Sequence, residues 1–127
     1  MNPVQEAVAK IEAERVATFN RIDQQEKILV RDIEALQSAY VVGYLLSEEL
    51  NDDRYRDVAL SAAGRLVNDP ATDSKDRGYL LEQIGTIAGD SGSDFQAEAK
   101  NLLLDIATDS KIEEVRQAAK ECIKALK

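Results

Sequence analysis

Ala71-Thr72-Asp73-Ser74-Lys75 recurs as Ala107-Thr108-Asp109-Ser110-Lys111, an offset of 36 residues (107 − 71). The flanks keep step: Leu66 and Val67 align with Leu102 and Leu103, and Asp69 aligns with Asp105. A second echo sets Gly43-Tyr44-Leu45-Leu46 against Gly78-Tyr79-Leu80-Leu81, at an offset of 35 (78 − 43). The pentapeptide has a physical task. Asp and Ser oxygens accept hydrogen bonds from the free N–H groups of a helix's first turn, so each copy is expected to end one helix and cap the next.

Working outward, helices are expected at 54–68, 74–88, 93–107 and 110–126. Pro70 and the run Gly89-Asp90-Ser91-Gly92-Ser93 break the chain between them. Each helix carries apolar residues at helical spacing, which predicts one buried face apiece. They are Tyr55, Val58, Ala62 and Leu66, then Leu80, Leu81, Ile84 and Ile87. Phe95, Ala99, Leu102 and Ile106 follow, then Ile112, Val115, Ala119, Cys122 and Leu126. The apolar run from Ala39 to Leu46 is rich in Val and Tyr, yet a lone strand would leave its backbone groups unpaired, so a helix is expected there too.

A helix-pair period near 36 residues with alanine-rich inner faces is the pattern of an α-solenoid. The region 40–127 resembles the HEAT and armadillo repeat class, most of all in the final helix, Glu114-Val115-Arg116-Gln117-Ala118-Ala119-Lys120-Glu121-Cys122-Ile123-Lys124-Ala125-Leu126. The resemblance implies antiparallel helix pairs stacked into a short solenoid, and a binding scaffold whose partner lies on the concave surface. The proline that HEAT helices often carry is absent from the expected helix, and a plain helical bundle is the alternative fold.

The N-terminal segment reads as a long helix. Asn2 can cap it, Pro3 suits its first position and Gln5 completes a capping box. Val4, Val8, Ile11, Phe19, Ile22, Leu29, Ile33, Leu36 and Tyr40 form a stripe, and no Gly or Pro intervenes before Gly43. Unbroken to Gln37, the helix would be about 50 Å long. The expected organisation is therefore a dimerising or capping arm over 1–37 and a helical-repeat region over 38–127, within a single domain. Arg15 and Glu26 interrupt a strict heptad. Both a dimeric coiled coil and a helix folded back on the repeats remain open.

Composition agrees with an all-α chain. It has 127 residues, 44% apolar and 31% charged, with strong helix formers dominant and only two prolines and six glycines. The longest apolar run, 39–46, is far short of a membrane span, and the N-terminus lacks the pattern of a secretory signal. One cysteine, Cys122, excludes an intramolecular disulfide and fits a reducing compartment. A cytoplasmic protein is expected. The net charge of −8 is spread evenly, with −4 on residues 1–50 and −4 on 51–127. Direct nucleic-acid binding is disfavoured by that acidity.

The chain contains no histidine. The usual neutral-pH base, the Ser–His and Cys–His nucleophiles and the commonest zinc ligand are therefore missing, and no Gly-rich phosphate loop appears. A non-catalytic protein without cofactor or metal is expected. The acidic clusters Glu48, Glu49, Asp52 and Asp53, then Asp69, Asp73 and Asp76, do not follow a calcium-loop pattern and read as caps and linkers. Asp90 and Asp94 do not follow it either. Cys122 shares a face with Val115, Ala119 and Leu126 and reads as a core residue.

Two sets of residues are candidates for partner binding. Tyr44 and Tyr79 occupy matching places in the repeat, and tyrosine is favoured at interfaces. Arg116, Lys120, Lys124 and Lys127 form a basic stripe along the last helix, either a docking ridge or a solvated face meeting the negative end of the helix dipole. The expected function is a protein–protein interaction module, an adaptor or scaffold, with self-association through the N-terminal helix as a further option. The alternative is a small acidic inhibitor, of the immunity or phage-antagonist kind, directed at a basic nucleic-acid-processing enzyme. A carboxylate-based metal enzyme is a third reading.

Overall fold

The computed structural model describes residues 2–25, 29–47 and 53–126, with the backbone alone for residues 53 and 54. Among the described residues there are seven helices and no strand. They are α1 (Pro3–Gln25), α2 (Val30–Ala35), α3 (Ala39–Leu46), α4 (Asp53–Val67), α5 (Ser74–Ala88), α6 (Gln96–Asp109) and α7 (Glu113–Leu126). None is long and apolar enough to cross a membrane.

α1 begins as its sequence dictates. The Gln5 N–H donates to Asn2 Oδ1 at 2.8 Å and the Asn2 N–H donates to Gln5 Oε1 at 3.2 Å, a reciprocal capping box. Its length differs from expectation. The single helix over 1–37 is replaced by α1, which stops at Gln25, and by the separate short α2. Leu29 stands in extended conformation at the start of α2, and its N–H donates to Asp32 Oδ2 at 2.8 Å. Asp32 also accepts from Arg21 Nε at 2.8 Å and from Gln25 Nε2 at 3.1 Å. A fully buried carboxylate thus ties the end of α1 to the start of α2.

The second half of α1 returns to the body. Thr18 and Ile22 are buried, and Phe19 stacks on Tyr55 of α4 with ring centroids 5.3 Å apart. Residues 2–10 are all exposed. From α3 onward each helix packs against its successor and against the next helix but one, wherever one exists; α1 reaches α2 and α3, and α2 reaches α4. One core runs through these contacts. It includes Leu36, Val42, Leu45, Ala59, Ala63, Leu80, Ile84, Leu103, Ile106 and Val115. The expected faces of α4 to α7 all turn inward, with Leu103 added on α6.

Helix ends pose the next problem, because the last carbonyls of a helix have no partner within it. Three arginines answer it in the same way. Arg56, Arg77 and Arg116 are each the fourth residue of their helix, in α4, α5 and α7. Arg56 Nη2 donates to the Ser47 carbonyl at 2.9 Å and Arg77 Nη2 to the Asp69 carbonyl at 2.7 Å. Arg116 Nη1 donates to the Ser110 carbonyl at 2.6 Å. Side chains tilt toward the N-terminus of their own helix, so an arginine in the first turn reaches back over the joint. At the α5–α6 joint Gln96 Nε2 does the same work, donating to the Ala88 carbonyl at 3.1 Å.

The two pentapeptides take different conformations. In the first, Asp73 caps α5 and accepts the Lys75 N–H at 3.1 Å. In the second, Ala107, Thr108 and Asp109 are the last residues of α6. Ser110 closes that helix and its Oγ accepts the Ile112 N–H at 3.3 Å. The second copy thus ends α6 as expected, but its side chains cap no following helix: Ser110 serves the linker residue Ile112, and α7 begins at Glu113. Pro70 marks the difference: it has no N–H to extend a helix, whereas its counterpart Ile106 continues α6.

Two outcomes follow. Burial alone would raise the Asp32 pKa, but the Leu29 N–H, Arg21 and Gln25 outweigh it and hold the carboxyl below its ordinary value of 3.8. A lowered folded pKa gives stability that is present above the unfolded value and lost as pH falls through the folded one. Chemical denaturation should find Asp32→Asn less stable than wild type by about 1–3 kcal/mol at pH 7, the gap closing below about pH 4. Arg77→Met should cost about 1–2 kcal/mol in the same assay, since it removes a charge-assisted hydrogen bond across the joint while the Thr72 N–H still serves the Asp69 carbonyl.

Candidate partner-binding surface

Gly43 lies in the middle of α3 and is buried. A Cβ there would overlap Cε1, Cζ and Oη of Tyr79. The missing side chain is what allows the Tyr79 ring of α5 to rest on the α3 backbone. Tyr40, one turn earlier on α3, lies with its ring centroid 5.9 Å from that of Tyr79. Arg15 of α1 places its guanidinium 4.3 Å from the centroid of the Tyr44 ring, a cation–π contact, and also pairs with Glu12. Three helices distant in sequence thus contribute three tyrosines and one arginine to a single surface.

That surface is concave in two places. A cleft of about 480 Å³ is lined by Arg15, Gly43, Tyr44, Ser47, Arg56 and Tyr79, and continues along α5 through Gln83 and Thr86 to Asp90. A smaller hollow of about 240 Å³ is lined by Arg15, Val16, Phe19, Asn20 and Tyr44. The Arg15–Tyr44 pair is the wall between them. Burial, helped by Tyr40 and Glu82 and opposed by Arg15, pushes the Tyr79 phenol above its ordinary value of 10.0. At neutral pH it is an uncharged hydroxyl that both donates and accepts.

The expected pair Tyr44 and Tyr79 therefore meet in one cleft, both half-buried. Their glycine neighbours are not equivalent: Gly43 is covered by Tyr79, whereas Gly78 is exposed with no atom near its absent Cβ. The basic stripe of α7 does not line this cleft. Arg116 is half-buried and engaged at the α6–α7 joint. Lys120 and Lys124 are exposed, and Lys124 pairs with Glu121 at 3.4 Å. Lys127 lies outside the described residues.

Sequence reasoning did not place Arg15, Tyr40 or Arg56 at this surface. The available signal was Arg15 itself, a charge at a stripe position where an apolar residue was wanted. The acidic residues serve the backbone locally. Asp69 Oδ1 accepts the Ala71 N–H and Asp90 Oδ1 accepts the Gly92 N–H, both at 2.9 Å. Among the described residues no three His, Cys, Asp or Glu side chains converge as a metal site would require. Glu48, Glu49 and Asp52 lie outside the described residues, as does the side chain of Asp53.

Cys122 is half-buried, with Sγ 4.0 Å from the Leu81 carbonyl. Burial, with Glu121 and Glu82 adding to it, pushes its thiol pKa up and disfavours the reactive thiolate. No protein-family model, curated protein or solved structure matches the chain. A thiol reagent at pH 8 should modify Cys122 more slowly than an unstructured cysteine, and denaturant should restore the faster rate.

Proposed function

We propose that this protein is a non-catalytic interaction module that binds a protein partner through a helical-repeat surface centred on the cleft between α1, α3 and α5. The observation that carries the reading is the meeting of Arg15, Tyr44 and Tyr79 in one partly exposed cleft, with Tyr40 packed on Tyr79 beside it. Tyrosine and arginine are enriched among interface hot spots: tyrosine offers a large apolar body with a polar tip at low entropic cost, and arginine a planar cation that stacks and donates several hydrogen bonds. From α3 onward, the packing of each helix on its successor and on the next but one supports a HEAT-like short solenoid as the scaffold. Lys120 and Lys124 add a separate exposed cationic strip on α7.

The charge of −8 favours a second reading, the small acidic inhibitor of a basic nucleic-acid-processing enzyme. The two readings differ in their response to salt. Binding centred on the tyrosine cleft should change little between low and physiological ionic strength, whereas an electrostatic antagonist should weaken steeply.

The test is affinity capture from the native host, comparing wild type with Tyr44→Ala and Tyr79→Ala. A stoichiometric partner retained by wild type should be lost or weakened at least about tenfold by each variant. Equal retention by all three proteins would move the interface elsewhere. Gly43→Ala provides a subtler probe, because it must displace the Tyr79 ring while the fold has only one side chain to move. It should weaken the partner about as much as Tyr79→Ala.

A further inference from the structure

We propose that the projecting half of α1 pairs with the same segment of a second copy, in antiparallel orientation, to form a homodimer. The two ends of the helix array differ. At the last helix the outward residues Glu113, Glu114, Gln117, Lys120, Glu121 and Lys124 are polar, with the small Ala125 the one exposed apolar residue, so its outer face suits water. At the first helix Val4, Val8 and Val16 are exposed at 71%, 53% and 57%. One end is finished and the other is not.

Val4 and Val8 are in register with the seated residues, whereas Val16 lies about a third of a turn to one side. Val4, Val8, Ile11, Arg15, Thr18 and Ile22 alternate in steps of four and three, so they form one stripe. Its second half is the face by which α1 joins the core, where Thr18 and Ile22 are buried. Its first half leaves the body, still helical and closed by the Asn2–Gln5 capping box. An isolated helix of three turns is marginal in water, so an apolar stripe carried past the edge of the fold calls for a cover.

Charge selects the occupant and its direction. Glu12 and Glu14 flank the stripe on its two sides near the body, while Gln5 and Ala7 flank it near the tip. A parallel pair would bring four glutamates together. An antiparallel pair sets each Glu12 and Glu14 beside the partner's uncharged Gln5 and Ala7 and the positive end of the partner's helix dipole. Val8 then faces Ile11 of the second copy, and Val4 meets the aliphatic stem of Arg15. A polar outer face on α7 makes this a closed twofold dimer rather than an open chain.

Sedimentation velocity on the full chain, from about 1 to about 500 µM, tests it. An arm of three turns buries less than the roughly 800 Å² per partner of a standard interface, so a reversible dimer with a dissociation constant in the micromolar range is expected. Val4→Glu/Val8→Glu should be monomeric throughout with an unchanged thermal melt, because both positions are exposed. A spin label at Ala17→Cys in a Cys122→Ser background, on the face opposite the stripe, should report a separation of about 30 Å if antiparallel and about 20 Å if parallel. A wild-type monomer at the highest concentration, a dimer that survives the double glutamate substitution, or the short distance would each overturn the proposal.

Discussion

A helix that ends within a fold leaves carbonyl groups without partners inside the helix, and at three joints this chain brings an arginine to a main-chain oxygen there. Arg56, Arg77 and Arg116 sit at the same helical position and reach the same kind of acceptor, a main-chain oxygen at or just past the end of the preceding helix. The guanidinium brings positive charge to the negative end of a helix dipole and supplies hydrogen bonds to groups that would otherwise be desolvated. Arg56 and Arg77 are themselves buried, so the interaction lies inside the joint and sets how closely consecutive helices approach. The inter-helix core depends on that approach. Leu80, Ile84 and Leu103 interlock only if the joints bring their helices within side-chain reach.

Much of the helical layout was legible in the sequence because it follows from local periodicity. α5 occupies 74–88 as read, and the faces of α4 to α7 are buried as their spacing implies. The capping box at Asn2 and Gln5 is equally local. The break after α1 was hidden for a physical reason. With no glycine or proline nearby, the signal is Asp32 placed three residues after Leu29, and an apolar residue at the cap position disguises it. Asp32 breaks the helix by gathering Arg21 and Gln25 from the other side, a tertiary event that no propensity records.

The surface was legible in part. Matching places in the repeat singled out Tyr44 and Tyr79, although the repeat did not make them alike. One glycine lies beneath an aromatic ring and the other faces open space. Arg15 and Tyr40 belong to the surface through packing between α1, α3 and α5, which contact periodicity does not encode. The pentapeptide teaches the same lesson. Identical residues end one helix early and prolong another, because Pro70 stands beside the first copy and Ile106 beside the second.

Gly43 has a mechanical consequence as well. The Tyr79 ring rests in a gap in the surface of α3 left by Gly43, with Tyr40 one turn before it and Ser47 one turn after it. If α5 slid along α3 by about one turn, the ring would meet a side chain instead of bare backbone. The contact therefore acts as a detent that fixes the axial register of α5 on α3.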